Sequence, residues 1–134
     1  MRGDQPVEQV EKSLRLVGAD GLDEVTITGE TRVAELKDGV IRAYNISPKE
    51  FVGATYPLDA IRGGDPSVNA RILTDVLSGT PGACRDVVVL NAALAIAAGE
   101  KAADIREGVE IAADCIDSGR AVKKLQALIE MSNS

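Results

Sequence analysis

A chain of 134 residues with a formal charge of −6 and 45% hydrophobic residues is sized for one folded domain with a real core. The acidic balance excludes a binder that works by neutralising a phosphate backbone, and an aromatic share of 2% argues against base-stacking platforms for single-stranded nucleic acid. Histidine is absent, which removes Ser-His-Asp and Cys-His catalysis from this chain together with the commonest zinc ligand.

In chain order, Met1-Arg2-Gly3-Asp4-Gln5 runs into charged sequence without an apolar region, so no signal peptide is expected. Pro6 to about Leu14 carries Val7, Val10 and Leu14 at helical spacing, with proline near the first turn where its missing N–H is harmless, which predicts a short helix. Leu14 to Val17 follows as a brief strand, the one candidate for a parallel partner. Beyond a glycine-hinged loop, Val25-Thr26-Ile27-Thr28 is β-branched and reads as a strand that Gly29-Glu30 breaks. Thr31 to Leu36 and Val40 to Ile46 are further β runs, joined by Lys37-Asp38-Gly39. Asp-Gly between β runs is a strong hairpin signal, because a tight type I′ turn needs positive φ twice. In the second arm Val40, Arg42, Tyr44 and Ile46 share one face, and Ile41, Ala43 and Asn45 share the other. Neither face is purely apolar, so the hairpin is expected at the periphery, packed on one side only.

Ser47 to Gly64 is a connection punctuated by Pro48, Gly53, Pro57, Gly63 and Gly64, with Lys49-Glu50-Phe51 able to form one helical turn. From Asp65 the chain reads as helical. Asp65 caps, Pro66 takes the first position, and Val68, Ile72, Leu73, Val76 and Leu77 make an apolar stripe that Gly79 ends. Thr80-Pro81 repeats the cap-plus-proline start. The helix that follows, to Ala98, is apolar nearly all round, which predicts a buried central helix. Its apolar run from Val87 is interrupted by Asn91 and is too short to span a bilayer. Asp104 with Glu107 makes a capping box for a helix bearing Ile105, Val109, Ala112 and Ile116. After Ser118-Gly119, Val122, Leu125, Leu128 and Ile129 line a last helix. The chain therefore reads as a single α/β domain over 1–134. A helix and short strand occupy 1–17, the acidic loop and hairpin region 18–64, and packed helices over a small, largely antiparallel sheet 65–134.

Charge meets a backbone that could hold it still in Gly18-Ala19-Asp20-Gly21-Leu22-Asp23-Glu24-Val25. Glycines let the loop adopt positive φ or approach a ligand closely. Asp23 and Glu24 are either a solvated acidic turn or hard oxygen ligands of the kind magnesium takes beside substrate phosphates. Gly63-Gly64-Asp65-Pro66 before a helix invites comparison with a phosphate cradle. There the cap aspartate would repel an anion and the proline removes an amide, so an ordinary capped turn is the better reading. Cys84 and Cys115 lie far apart and outside any metal-type pair, which fits a reducing cytoplasm. Cys115 sits between Asp114 and Asp117, a poor setting for a thiolate nucleophile. Lys123-Lys124 and Arg120 read as a solvated face. No complete active site is in view, and no catalytic residue is assigned.

From Gly21 to Asn133 the chain resembles the C-terminal part of the anthranilate phosphoribosyltransferase family. The residues that carry the resemblance are Gly21-Leu22-Asp23-Glu24, Thr31-Arg32-Val33-Ala34-Glu35-Leu36 with the Lys37-Asp38-Gly39 turn, and Gly63-Gly64-Asp65. Asn69-Ala70, Leu77-Ser78-Gly79, Asn91-Ala92-Ala93-Leu94 and Asp117-Ser118-Gly119 continue it in order. The resemblance implies the nucleoside phosphorylase-like transferase fold, of which this would be the C-terminal portion of the α/β domain, and a cytoplasmic enzyme of tryptophan biosynthesis that is usually dimeric. It implies transfer of a phosphoribosyl group from phosphoribosyl pyrophosphate to anthranilate. It also implies that Asp23 and Glu24 hold Mg2+ on the pyrophosphate substrate. The family's glycine-rich pyrophosphate loop, its lysine- and histidine-bearing segment and its anthranilate-contacting arginine have no counterpart here. The expectation is a portion inactive alone, which complements an N-terminal portion or forms a homo-oligomer. The alternative is a non-catalytic module that self-associates. Neither nucleic acid nor membrane is an expected partner.

Overall fold

Asp38 and Gly39 both take positive φ, 51° and 73°. Two successive left-handed residues make the tight turn whose twist matches its flanking strands, so the hairpin forms where Lys37-Asp38-Gly39 predicts it. β2, Thr31–Lys37, pairs antiparallel with β3, Val40–Ile46, setting Lys37 opposite Val40 and Thr31 opposite Ile46. The structure, a computed structural model, describes residues 12–133.

On the other side of β2 lies β1, Lys12–Gly18, with Gly18 opposite Thr31 and Lys12 opposite Lys37. The sheet order is β1-β2-β3 and both pairings are antiparallel. The strand predicted at Leu14 to Val17 is therefore longer, and antiparallel instead of parallel. The helix predicted from Pro6 to Leu14 lies mostly outside the described residues, and its last part, from Lys12, is strand. Leu14, Leu16, Val33, Tyr44 and Ile46 face the helices and join the main core. Val17 and Ile41 point away, into solvent. The hairpin is packed on one side, as its mixed faces predict.

The predicted helical turn at Lys49 is α1, Lys49–Val52, ended by Gly53 at φ 75°. A 3-10 turn follows at Leu58–Ile61. α2, Pro66–Leu77, starts as predicted, with the Asp65 side chain accepting from Val68 N and proline in the first turn. Its stripe is shallower than the spacing suggests: Val76 is buried, but Val68 and Leu73 are exposed. α3, Ala83–Ala98, is capped by Gly82 at φ 135°, with no side-chain cap. The start predicted at Thr80-Pro81 is displaced to Ala83. Gly79, at φ 91°, and the backbone bond from Thr80 N to Asp75 O, 3.0 Å, use those residues to close α2. α3 buries Ala83, Val89, Leu90, Ala93 and Leu94, and is the central helix its composition predicts.

α4, Ile105–Asp117, opens with the capping box: Glu107 N donates to Asp104 Oδ1 at 2.9 Å, and Ala103 N donates to Glu107 Oε2 at 2.6 Å. Gly108 allows α4 to lie directly on α3. A Cβ there would stand 2.6 Å from Ala93 O. Val89 with Ala112 and Ile116 forms a second core cluster at this crossing. α5, Arg120–Ser132, buries no residue, and its predicted apolar line leaves Leu128 and Ile129 in solvent. No helix among the described residues is long and apolar enough to cross a membrane.

Candidate functional site

The acidic loop leaves β1 at Gly18 and returns to β2 at Thr31. Its first half is a knot of backbone bonds: Gly18 N donates to Leu22 O, Gly21 N to Gly18 O and Ala19 N to Glu30 O, each 2.9 Å. Gly21 takes φ 86°, and Gly18 is so closely packed that a Cβ would meet Asp20 Oδ1 at 2.5 Å. Glycine is needed at both places for these separate reasons.

Asp20 ties this knot to the second half of the loop. Its carboxylate accepts from Leu22 N at 3.2 Å, from Thr28 Oγ1 at 3.1 Å and from Thr26 Oγ1. Desolvation pushes the carboxyl up, but the bonds from Thr26, Leu22 and Thr28 outweigh it and hold its pKa below the ordinary value. Asp20 is thus a structural acid, engaged by the loop itself.

The segment Val25-Thr26-Ile27 is buried in the core, yet it is not the strand its β-branched composition suggests. Its backbone bonds go elsewhere. Val25 N donates to Asn91 Oδ1 at 2.9 Å, Thr26 N to Thr31 Oγ1 at 3.0 Å, and Ile27 O accepts from Tyr56 N at 2.9 Å. Tyr56 is itself braced by its hydroxyl, which donates to Asp86 Oδ2 at 2.7 Å. That bond, with burial and the nearby charge, raises the phenol pKa.

Between the two pinned halves stand Asp23 and Glu24, both exposed. Neither has a hydrogen-bond or ion-pair partner among the described residues, in contrast to Asp20 three residues earlier. No group of three or more His, Cys, Asp or Glu able to hold a metal occurs among the described residues. An all-protein cage is therefore not built here. Two adjacent carboxylates on a fixed backbone instead fit a hard divalent cation that completes its shell with water and phosphate oxygens.

The Gly63-Gly64-Asp65 turn is fully used by its own cap. Asp65 accepts from Val68 N at 3.0 Å and Ser67 Oγ at 2.7 Å, and the bonds from Val68 and Ser67 lower its pKa. Asn69 closes the turn from inside α2, accepting from Gly64 N at 2.8 Å and donating to Gly64 O at 3.0 Å. Cys115 is half-buried, with Asp114 paired to Arg120 and Asp117 paired to Arg85. A cavity of about 510 Å³ opens between the sheet and the start of α4, lined by Arg42, Tyr44, Phe51 and Arg106 among others, and the acidic loop does not line it.

Sequence reading singles out Asp23 and Glu24 and passes over Asp20, Thr26, Thr28 and Asn91, which shape the loop around them. One signal was available for Asn91. An amide inside an otherwise apolar, buried helix needs polar partners, and the break it makes in Val87 to Ala98 marks the place.

Comparison with known proteins places the chain in a family. Residues 4–122 match the glycosyl transferase family, a/b domain. The chain is 50% identical over 116 residues to an anthranilate phosphoribosyltransferase of Geobacter sulfurreducens, covering 87% of this chain and 33% of that protein. The crystal structure of the anthranilate phosphoribosyltransferase from Thermus thermophilus superposes with a TM-score of 0.81 at 34% identity, covering 92% of this chain and 36% of that one. The Saccharomyces cerevisiae enzyme in complex with PRPP and Mg superposes with a TM-score of 0.79 at 26% identity, covering 89% of this chain and 34% of that one. The chain thus spans about a third of the length of these relatives, and the part it matches is C-terminal. With this breadth of match over one α/β unit, the chain belongs to the glycosyl transferase family, a/b domain, of the phosphoribosyltransferase type.

Proposed function

We propose that this chain is the acidic, metal-holding portion of an anthranilate phosphoribosyltransferase, a cytoplasmic enzyme that moves a phosphoribosyl group from phosphoribosyl pyrophosphate to the nitrogen of anthranilate and releases pyrophosphate. The observation that carries the reading is the Asp23 and Glu24 pair, exposed and unpartnered among the described residues on a loop pinned at both flanks. The yeast relative solved with PRPP and Mg supports it.

The two carboxylates would hold Mg2+ at the pyrophosphate, where the ion supplies charge neutralisation for the leaving group. The contribution of this chain is presentation. Asp20 and the backbone knot hold Leu22, the core holds Val25, and the pair between them needs no reorganisation to meet a cation. Substrate positioning, worth roughly 7–11 kcal/mol of barrier in reactions between two molecules, belongs to loops with no counterpart in this sequence. The chain alone is therefore inactive and complements an N-terminal portion, or works within a homo-oligomer.

Incubating the purified chain with both substrates and Mg2+, and following loss of anthranilate fluorescence, tests this. No turnover above a protein-free control is expected. Adding the N-terminal portion of the Geobacter relative should restore turnover, and restoration should fail when Asp23→Asn and Glu24→Gln are combined. Turnover by the chain alone, or restoration undiminished in the double variant, counts against the reading.

A second reading, a non-catalytic module that self-associates, is favoured by one observation. Val17 and Ile41 on the outer sheet face and Leu128, Ile129 and Met131 on α5 are exposed large apolar residues. Self-association without any restoration by the N-terminal portion would select it.

A further inference from the structure

A buried peptide group must have both its N–H and its C=O partnered. Val25, 1% exposed, lies in neither helix nor strand, so the ordinary ladders cannot serve it. One side chain supplies both partners. Val25 N donates to Asn91 Oδ1 at 2.9 Å, and Asn91 Nδ2 donates to Val25 O at 3.0 Å. The second Nδ2 hydrogen goes to Val87 O at 2.9 Å, one turn back on α3. The amide can lie only one way round. Reversed, it would set its oxygen against two carbonyls and its NH2 against an N–H. We propose that Asn91 is a positioning residue for the acidic pair, fixing from α3 where Asp23 and Glu24 present their carboxylates to a divalent cation. The proposal rests on the metal-holding reading above.

The reach of the chain makes the link. Consecutive Cα atoms lie about 3.8 Å apart, so Glu24 and Asp23 are one and two links from the clamped residue. On their other side Leu22 is held through Gly18 N at 2.9 Å and Asp20 Oδ1 at 3.2 Å. The pair is a short free span between two anchors, and its direction follows from them. The Asn91 anchor is referred to the most buried part of the molecule, since its neighbour Leu90 is fully buried and Leu94, one turn on, nearly so. Few side chains could replace it. Aspartate has no donor, leucine has neither donor nor acceptor, and glutamine places its amide one methylene too far out. Groups that orient metal ligands from behind typically change metal affinity by about 10–100-fold when removed.

The experiment uses the full 134-residue chain, labelled with 15N, and titrates it with Mn2+ alone while reading paramagnetic broadening residue by residue. Amide exchange at Val25 and across the strands and helices is followed in parallel. Wild type should show broadening centred on residues 21–25. Asp23→Asn with Glu24→Gln should abolish it and leave Val25 protected. Asn91→Leu, which removes donor and acceptor alike, should speed Val25 exchange and weaken Mn2+ at the loop, each by about tenfold or more, while β2, β3 and the rest of α3 keep their protection. Mn2+ affinity unchanged in Asn91→Leu, or Val25 exchange unchanged, overturns the proposal. Wild-type chain without broadening at residues 21–25 overturns the metal reading itself and with it the proposal. That failure is told apart from a failure of the clamp alone by the Val25 exchange rates. If Asn91→Leu loses protection everywhere, Thr31→Val, which deletes only the acceptor for Thr26 N, takes its place. Loosening Val25-Thr26 there without weakening Mn2+ overturns the proposal, and weakening by several-fold supports it.

Discussion

Three acids of the loop, Asp20, Asp23 and Glu24, have been given different work by their surroundings. Asp20 accepts three hydrogen bonds and is held below its ordinary pKa, whereas Asp23 and Glu24 stand in solvent. A carboxyl whose folded pKa is depressed contributes stability that is fully present above its unfolded value and is lost as pH falls through the folded one. The loop should therefore keep its lock from neutrality down to about pH 4 and release it below, and Asp65, lowered by its cap bonds, adds to the same acid limb. Urea midpoints measured from about pH 7 to pH 3 should show this fall, and Asp20→Asn should flatten it. An unchanged limb in the variant would show that Asp20 does not lock the loop. For Asp23→Asn combined with Glu24→Gln the expectation is reversed. Removing two adjacent exposed charges should leave metal-free stability within about 0.5 kcal/mol or slightly raise it, read as the thermal midpoint in chelated buffer. A midpoint several degrees lower would make the pair structural.

At the scale of elements, α3 organises the molecule by offering different things along its length. Its Asn91 holds the acidic loop, Leu90 and Leu94 fill the main core against Val25, Ile27, Val33 and Ile46, and Val89 meets Ala112 and Ile116 of α4. The α3 and α4 crossing depends on Gly108, whose missing side chain lets Ala93 O approach to 2.6 Å of the Cβ position. The obstacle is backbone and cannot swing aside. Gly108→Ala should therefore cost about 1–3 kcal/mol, as overpacked cores do, even though alanine is the better helix former by about 1 kcal/mol. Chemical denaturation decides between the two effects. A stabilised variant would mean that the helices part without penalty. The shallow burial of α2 and α5 follows from the same pairing: α3 and α4 pack extensively on each other, while α2 and α5 make much smaller contacts with them and with one another.

Across the whole molecule, several large apolar side chains stand in solvent. Ile41 is 73% exposed, Leu128 62% and Met131 77%, and β1 and β3 are sheet edges among the described residues. Exposed apolar patches and free edges mark surfaces that pair with another chain. The chain should therefore self-associate when alone, as a concentration-dependent rise in sedimentation coefficient, and the rise should shrink when the N-terminal portion of a relative is added. A single monomeric boundary at high concentration would contradict this. The chain matches about a third of the length of each relative, and under the proposed function the exposed apolar side chains are where the rest of such an enzyme would pack.

Features settled by short-range chemistry could be read directly from the residues. Asp38-Gly39 made the hairpin because two residues suffice for a type I′ turn. Asp65-Pro66 and Asp104 with Glu107 began helices because a cap is settled within one turn, and Gly79 and Gly99 ended them. The alternation in β3 showed one packed face. The rest depends on contacts between segments far apart in the chain. Val25 to Ile27 has strand composition, but its backbone bonds run to Asn91, to the Thr31 hydroxyl and to Tyr56, so it lies in the core as irregular chain. β1 is antiparallel because its partner is β2. Asp23 and Glu24 could be named from the chain, but not the clamp that aims them. Val25 and Asn91 are 66 residues apart, and no local pattern records a bond that exists only once α3 is packed beneath the loop.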